Sequence, residues 1–342
     1  MLIVVTGAYG FIGANLVRAL NKLGYKDIIA VDNLTNGAKA QNLVDCEILD
    51  FVDKEDFIQE IASGEYDNQI DYIFHQGACS DTTLTDGRYM MQNNYEYSSR
   101  LLEFAQKNEI PFVYASSAAT YGIRPEFIEE RQFESPLNIY GYSKFLFDQL
   151  VRRYFINGLT APVVGLRYFN VYGPYEAHKG RMASVVLHNH HQYKEKGAVF
   201  LFEGCQGYAN GAQERDFIAV DDVVKVNLHF FNNHLNEIEE ISGIFNCGTG
   251  CARTFNDLAL AVVNSHRSHS GTTPLALHDA VKTEVIAYTP FPGDLAGRYQ
   301  CYTQANTTRL REAGFTDEFL TLEAGVERYV NFLKAHRTVI PA

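Results

Sequence analysis

Apolar residues in the first half of the chain come in short, unbroken runs. "LIVVTG" (Leu2 to Gly7), "DIIAVDN", "YIFHQGA", "PFVYASS" and "PVVGLRYFNV" each read as a buried strand. Between them the period changes. "ANLVRALNKLG" repeats its apolar positions at helical spacing and is closed by Gly24, and "EYSSRLLEFAQKN" is a second helical stretch. Strands alternating with helices predict an α/β fold built on a doubly wound parallel sheet. From about Val171 the rhythm loosens. "GPYEAHKGRMAS", "FEGCQGYANGAQERDF" and "TPFPGDLAGRYQ" read as long polar loops, the kind of segment that carries binding residues. "CQGYANGAQ" (Cys205 to Gln213) and "NSHRSHSGTTP" (Asn264 to Pro274) are expected as surface excursions.

Composition narrows the class. The 342 residues are 46% hydrophobic and 20% charged, with no low-complexity tract, as in ordinary globular proteins. A net charge of −12 argues against nucleic-acid or anionic-membrane partners, though not against a small anionic ligand met by local cations. No apolar run reaches the roughly 18 residues of a membrane helix. The start "MLIVVTGAYGFIG" has no basic lead and ends in a glycine turn, so it is not expected to be a signal peptide. Six scattered cysteines with no C-x-x-C pair fit a reduced, cytoplasmic protein. The "HNHH" run at His188 to His191 lacks companion ligands at metal spacing. A half-exposed helix face is expected there, and no metal site.

Chemistry enters at "TGAYGFIG". Gly7, Gly10 and Gly13 stand between a strand and a helix, where glycines let the backbone approach a pyrophosphate seated on the helix N-terminus. Asp32 follows nineteen positions after Gly13, at the end of the second strand, where a carboxylate accepts hydrogen bonds from ribose hydroxyls and favours NAD. Lys39 and Lys54 come next; either can meet a 2′-phosphate or simply solvate the surface, so the residues alone leave NAD and NADP open. A Rossmann dinucleotide-binding part is expected over 1–170, with later segments returning to it. A smaller α/β part, mainly for substrate, is expected over 171–342.

"IYGYSK" holds two tyrosines and one lysine. In a helix, residues four apart share a face and residues two apart do not. Tyr140 and Lys144 can therefore serve one site, while Tyr142 turns elsewhere and is expected to pack. A tyrosine titrates near 10 in water and is a poor base at neutral pH, but a neighbouring ammonium lowers that value. Ser117, at the end of "PFVYASS", can hydrogen-bond a reacting hydroxyl beside Tyr140.

The glycine turn, Ser117 and the Tyr140-x-x-x-Lys144 pair together resemble the extended short-chain dehydrogenase/reductases that act on nucleotide sugars. The strings "HQGACSDTT", "DGRYMMQNNYEYS", "YASSAATYG", "PLNIYGYSKFLFD", "RYFNVYGP", "HKGRMASV" and "GRYQCYTQA" narrow the likeness. They resemble the ADP-L-glycero-D-manno-heptose 6-epimerase family, which completes the heptose precursor of the lipopolysaccharide core. The similarity runs from Leu2 to about Tyr329.

That resemblance implies roles residue by residue. Phe11, Ile12, Asp32, Asn33, Lys39, Lys54, Gln76, Gly77, Ala78, Cys79, Ser80, Asn93 and Val171 line the cofactor, with the two lysines favouring NADP. Gln76 departs from the family's frequent Glu. Tyr140 is one acid/base and Lys179 the other, itself also beside the cofactor, while Lys144 holds the nicotinamide ribose. Asn170, Arg181, His188, Phe202, Glu203, Gly204, Cys205, Arg215 and Tyr299 fall at substrate contacts. Arg215 also suits a pyrophosphate by its bidentate guanidinium. Arg181 departs from the family's serine; it can clamp the pyrophosphate or turn to solvent. The implied enzyme is a homo-oligomer, a pentamer, acting on a small ADP-heptose. Three rivals stay in view: a 4-epimerase, a 4,6-dehydratase and a non-catalytic cofactor-binding module. The dehydratase lacks the carboxylate pair such enzymes place after the strand-end Ser, where Ala118 and Ala119 stand. The module predicts a broken Ser/Tyr/Lys set, and the set is intact.

Overall fold

A computed structural model of the chain describes residues 1–236, 240–293 and 299–336. The apolar runs become strands β1 (Ile3–Thr6), β2 (Ile28–Asp32), β3 (Asp50–Asp53), β4 (Tyr72–His75), β5 (Phe112–Ser117) and β6 (Val163–Tyr168). Three further strands follow: β7 (Asn170–Tyr172), β8 (Val199–Phe202) and β9 (Glu214–Ala219). With β10 (Gly243–Cys247) the large sheet is complete, in the order β10-β6-β5-β4-β1-β2-β3 and parallel throughout. The order reverses between β1 and β4, and the crevice beyond the carboxyl ends of those strands is where such sheets bind ligands.

Alternate strand residues feed opposite faces. Ile3 and Val5 pack with helices α1 (Phe11–Lys22) and α7 (Val220–Leu235), whereas Val4 and Ile73 pack with α2 (Lys54–Ser63), α4 (Tyr97–Lys107) and α5 (Ile139–Asn157). The short helix α3 (Gly87–Met91) runs through a π-helical turn over 92–96 into α4 (Tyr97–Lys107). Next come α5 (Ile139–Asn157), α6 (Val185–Lys196) and α7 (Val220–Leu235). Residues buried on both sides of one sheet explain the unbroken apolar runs. β3 is less legible because Asp50 and Phe51 lie exposed at the sheet edge.

Beyond β6, β7 pairs in parallel with β9 and β9 antiparallel with β11 (Ala252–Thr254), while β12 (Ile286–Thr289) pairs with β8. Helix α8 (Phe255–His269) is followed by α9 (Leu277–Lys282), α10 (Thr308–Glu312) and α11 (Leu322–Ala335). α6, α8 and α11 form a further core with β9. One expectation is corrected here. The first half of "NSHRSHSGTTP" is the last turns of α8, not a surface excursion. A capping box between Thr254 and Asp257 starts that helix, and Ser265 lies buried on its inner face. Of the stretch "TPFPGDLAGRYQ", residues 294–298 lie outside the described residues. Among the described residues, no helix is long and apolar enough to cross a membrane.

Candidate active site

The glycine turn closes the carboxyl end of β1. Gly7 takes φ +66°, and a Cβ there would lie 2.7 Å from the Gly77 backbone. A Cβ on Gly13 would come within 2.1 Å of the Gly7 carbonyl. Only glycines permit this packing. Gly10 is the N-cap of α1 and offers no side-chain acceptor, and the first turn carries no acidic residue. The opening N–H groups are thus left to an external anion. Across the crevice, Gly77 N donates to Thr6 Oγ1 at 3.1 Å. Asn94 clamps Cys79, accepting from its N–H at 2.8 Å and donating to its carbonyl at 2.9 Å.

Farther along β2, the buried Asp32 accepts from Tyr9 N at 2.9 Å and Asn33 N at 2.6 Å, and it pairs with Lys39. Lys39 also donates to the Asn33 carbonyl at 2.8 Å. Lys54 donates to Asn93 Oδ1 at 2.5 Å. One carboxylate and two lysines therefore share this end of the cleft.

Asn138 caps α5, its side chain accepting from Gly141 N at 2.8 Å. Helix thus begins before Tyr140, and Tyr140 and Lys144 both face the cleft one turn apart. Tyr142 does not. The expectation that it packs is corrected: it is 43% exposed, with its ring 6.0 Å from Phe145. Tyr140 is half-buried as a residue, yet its phenol lies deep enough for burial to raise its pKa, against a hydrogen bond with Ser117 that works the other way; the lowering expected from a neighbouring ammonium does not prevail. Lys144 is buried, donates to the Ala115 carbonyl at 2.8 Å, and is pulled down to about 8 by burial, with Asp148 opposing. Burial likewise lowers Lys179, against the charge of Glu176. The Lys179 ammonium lies 5.3 Å from the centre of the Phe11 ring. Glu176 is sealed from solvent behind it, accepting from Ser184 N at 2.6 Å and Ser184 Oγ at 2.5 Å.

These parts open on one cavity of about 840 Å³. Its walls include every residue that the sequence assigned to cofactor or catalysis: the glycine turn with Phe11 and Ile12, the Asp32, Asn33, Lys39, Lys54 and Asn93 end, Gln76 to Ser80, Ser117, Tyr140, Lys144, Val171 and Lys179. Gln76 fits without a charge, accepting from Tyr168 OH at 2.9 Å and donating to Asn227 at 3.1 Å. His178 also lines the cavity and was not foreseen; burial and then the Lys39 and Lys179 charges pull it down to about 4. Its place beside Lys179 in "HKG" was the available signal.

The residues assigned to substrate lie outside that wall, in two groups. Arg181, 73% exposed, reaches Asp81 at 3.2 Å and Thr83 at 2.6 Å, and His188 meets its carbonyl at 3.3 Å. In the other group, Phe202 meets Phe291 edge-on, Phe291 meets Tyr299, and Tyr299 lies 4.8 Å from the buried Arg215 guanidinium. Arg215 has no carboxylate within ion-pair distance among the described residues, and burial lowers its pKa. Glu203, Gly204 and Cys205 form the loop leaving β8, and Asn170 stands exposed at the start of β7. Among the described residues, no group of three or more His, Cys, Asp or Glu can hold a metal ion. The "HNHH" face instead pairs His190 with His266 at 3.1 Å.

The profile of the NAD dependent epimerase/dehydratase family matches residues 3–248. The structure is similar to the ADP-L-glycero-D-manno-heptose-6-epimerase of Helicobacter pylori, at 27% identity over 98% of this chain and 96% of that one, with a TM-score of 0.77. It is also similar to the UDP-glucose 4-epimerase of Thermotoga maritima solved with UDP-glucose, at 25% identity over 98% and 99%, with a TM-score of 0.75. A third likeness, to the UDP-glucose 4-epimerase of Thermus thermophilus in complex with NAD, has 23% identity over 98% and 99% and a TM-score of 0.73. At that identity it bears on the fold alone.

Proposed function

Because the chain belongs to the NAD dependent epimerase/dehydratase family, we propose that it is a nucleotide-sugar epimerase inverting C6″ of an ADP-heptose, in the heptose branch of lipopolysaccharide synthesis. The observation that carries this reading is the pair Tyr140 and Lys179. Two desolvated proton carriers from separate segments face one cavity beside the glycine turn.

When bound, a nicotinamide dinucleotide supplies a hydride acceptor and donor. C6″ bears a hydroxyl and has no carbonyl neighbour, so none of these side chains can remove its hydrogen as a proton. What they can move is the hydroxyl proton. The C6″ oxygens of the two epimers lie on opposite sides of that carbon, out of reach of one fixed group. Tyr140 serves one and Lys179 the other, with Ser117 hydrogen-bonding the reacting oxygen on the Tyr140 side. Lys144 holds the nicotinamide ribose. Asp32, Asn33, Lys39, Lys54 and Asn93 hold the adenosine end, and the two lysines favour NADP over NAD.

Residues 1–170 hold the cofactor in this reading, and 171–342 mainly the sugar nucleotide. The buried Arg215, with no carboxylate partner among the described residues, is the pyrophosphate's counter-charge. Tyr299, Phe202 and the Glu203 to Cys205 loop surround it. Arg181 and His188 form the second arm, and Asn170, at the start of β7, is a further contact. The likeness to the Helicobacter pylori enzyme supports the heptose substrate, and the likeness to the Thermotoga maritima enzyme keeps 4-epimerisation as the alternative.

The test incubates purified protein with ADP-D-glycero-β-D-manno-heptose and, separately, UDP-glucose, with no cofactor added, and follows both by NMR. The expected result is conversion of the heptose to its L-glycero epimer and an unchanged UDP-glucose. Conversion of UDP-glucose alone would replace this reading with the 4-epimerase.

A further inference from the structure

Cys205 and Cys301 stand 96 positions apart in the chain, yet their Sγ atoms lie 3.3 Å apart and one thiol hydrogen-bonds the other. Each is held from its own side. Cys205 belongs to the loop leaving β8, and its sulfur also accepts from Gln213 Nε2 at 3.6 Å. Cys301 is laid against β9, its carbonyl accepting from Glu214 N at 2.9 Å. Among the described residues no other two thiols are hydrogen-bonded to each other. The charge of the Arg215 guanidinium acts on Cys301, opposing the burial that raises its thiol. Cys205 is half-buried; Cys301 is buried, and burial pushes its thiol up to about 12. Cys205 is therefore the thiol that meets an oxidant first.

We infer that Cys205 and Cys301 form a reversible redox-modification site, closed to a disulfide by a peroxide-class oxidant. The chemistry balances in two steps. The Cys205 sulfur attacks one peroxide oxygen, the O–O bond breaks, and a sulfenic acid and one water result. The Cys301 sulfur then attacks Cys205 Sγ; the S–O bond breaks, the Cys301 proton leaves with the hydroxyl as a second water, and the S–S bond forms. The two thiols have lost two electrons, and the peroxide has gained them. The bond ties the loop that follows Phe202 to the segment that carries Tyr299. Both belong to the group around Arg215, so the closed form hinders a sugar diphosphate from entering. This loss of turnover rests on the proposed epimerase activity; the thiol chemistry does not.

The experiment treats the full-length protein with a small excess of hydrogen peroxide and then removes it. Titratable thiols fall from six to four per chain, and a non-reduced digest yields a peptide joining Cys205 to Cys301. Epimerase turnover falls in proportion to the crosslinked fraction and returns with dithiothreitol. Cys301→Ser keeps its basal turnover and retains it through the same treatment, with Cys301→Ala as a second variant should the serine fold poorly. Thiols consumed without that peptide, or a crosslinked protein with full turnover, would overturn the inference. If the reduced protein turns over no sugar nucleotide, the epimerase reading has failed by itself. The joined peptide still decides the thiol chemistry, and its absence overturns it.

Discussion

Asp148 lies one turn beyond Lys144 on α5, sealed from solvent, and its replacement by asparagine links the core to the site. Its carboxylate accepts from Tyr114 OH at 2.9 Å, Ser116 Oγ at 3.0 Å, Arg167 Nε at 2.9 Å and Arg167 Nη2 at 2.8 Å. Arg167 is also fully buried and shares its charge between Asp148 and Glu134, which Arg152 pairs as well. Asp148→Asn keeps the shape and removes the charge. Breaking one side of a buried pair costs about 3–5 kcal/mol. Glu134 still neutralises part of Arg167, so we expect the lower end, about 3 kcal/mol, in urea unfolding of cofactor-stripped protein. Adding Arg167→Met removes the stranded guanidinium, and the double variant should regain most of that loss. The site responds too. A lysine is charged below its pKa, and Asp148 opposes the burial that pulls Lys144 down to about 8. Without Asp148 the ammonium is lost at lower pH, so the alkaline limb of turnover should move toward neutrality. A single variant within about 1 kcal/mol of wild type, the worth of one ordinary hydrogen bond, would refute the buried-pair reasoning.

Replacing Lys39 and Lys54 by alanine should weaken NADP far more than NAD, by about 1.5–3 kcal/mol for each charged hydrogen bond lost. Equal losses in calorimetry with the two cofactors would show that the lysines read no 2′-phosphate. Tyr140→Phe should lower turnover by about two to four powers of ten, whereas the exposed Tyr142→Phe should leave it nearly unchanged; the reversed ranking in steady-state assays would remove Tyr140 from the chemistry. Epimerisation run in deuterated water should leave C6″ free of deuterium by NMR, since no side chain removes that hydrogen as a proton. Deuterium at C6″ would mean that one does.

What the sequence made legible is what local spacing encodes. Strand, glycines and helix stand in one short stretch, so the turn around Gly7, Gly10 and Gly13 could be read directly. So could the shared face of Tyr140 and Lys144, because four positions in a helix make one turn. Long-range partnerships left no such trace. Arg167 sits inside an apolar run, and nothing near it announces that Asp148 and Glu134, 19 and 33 positions away, neutralise it. His190 read as part of a half-exposed helix face, yet it is buried and its partner His266 comes from α8, within a stretch that composition marked as an excursion. Polar residues on the last turns of a helix imitate a loop when the buried side is thin. Cys205 and Cys301 were scattered cysteines until β9 brought their segments together.

The central claim is that two side chains, Tyr140 and Lys179, share the proton work at one carbon. The most direct measurement is the rate at which Lys179→Met interconverts the two ADP-heptose epimers, compared with wild type at equal cofactor content. Loss of a positioned acid/base lowers a rate by about two to four powers of ten, and we predict a fall of that size with Tyr140 untouched. Epimerisation by Lys179→Met at the wild-type rate would contradict the account.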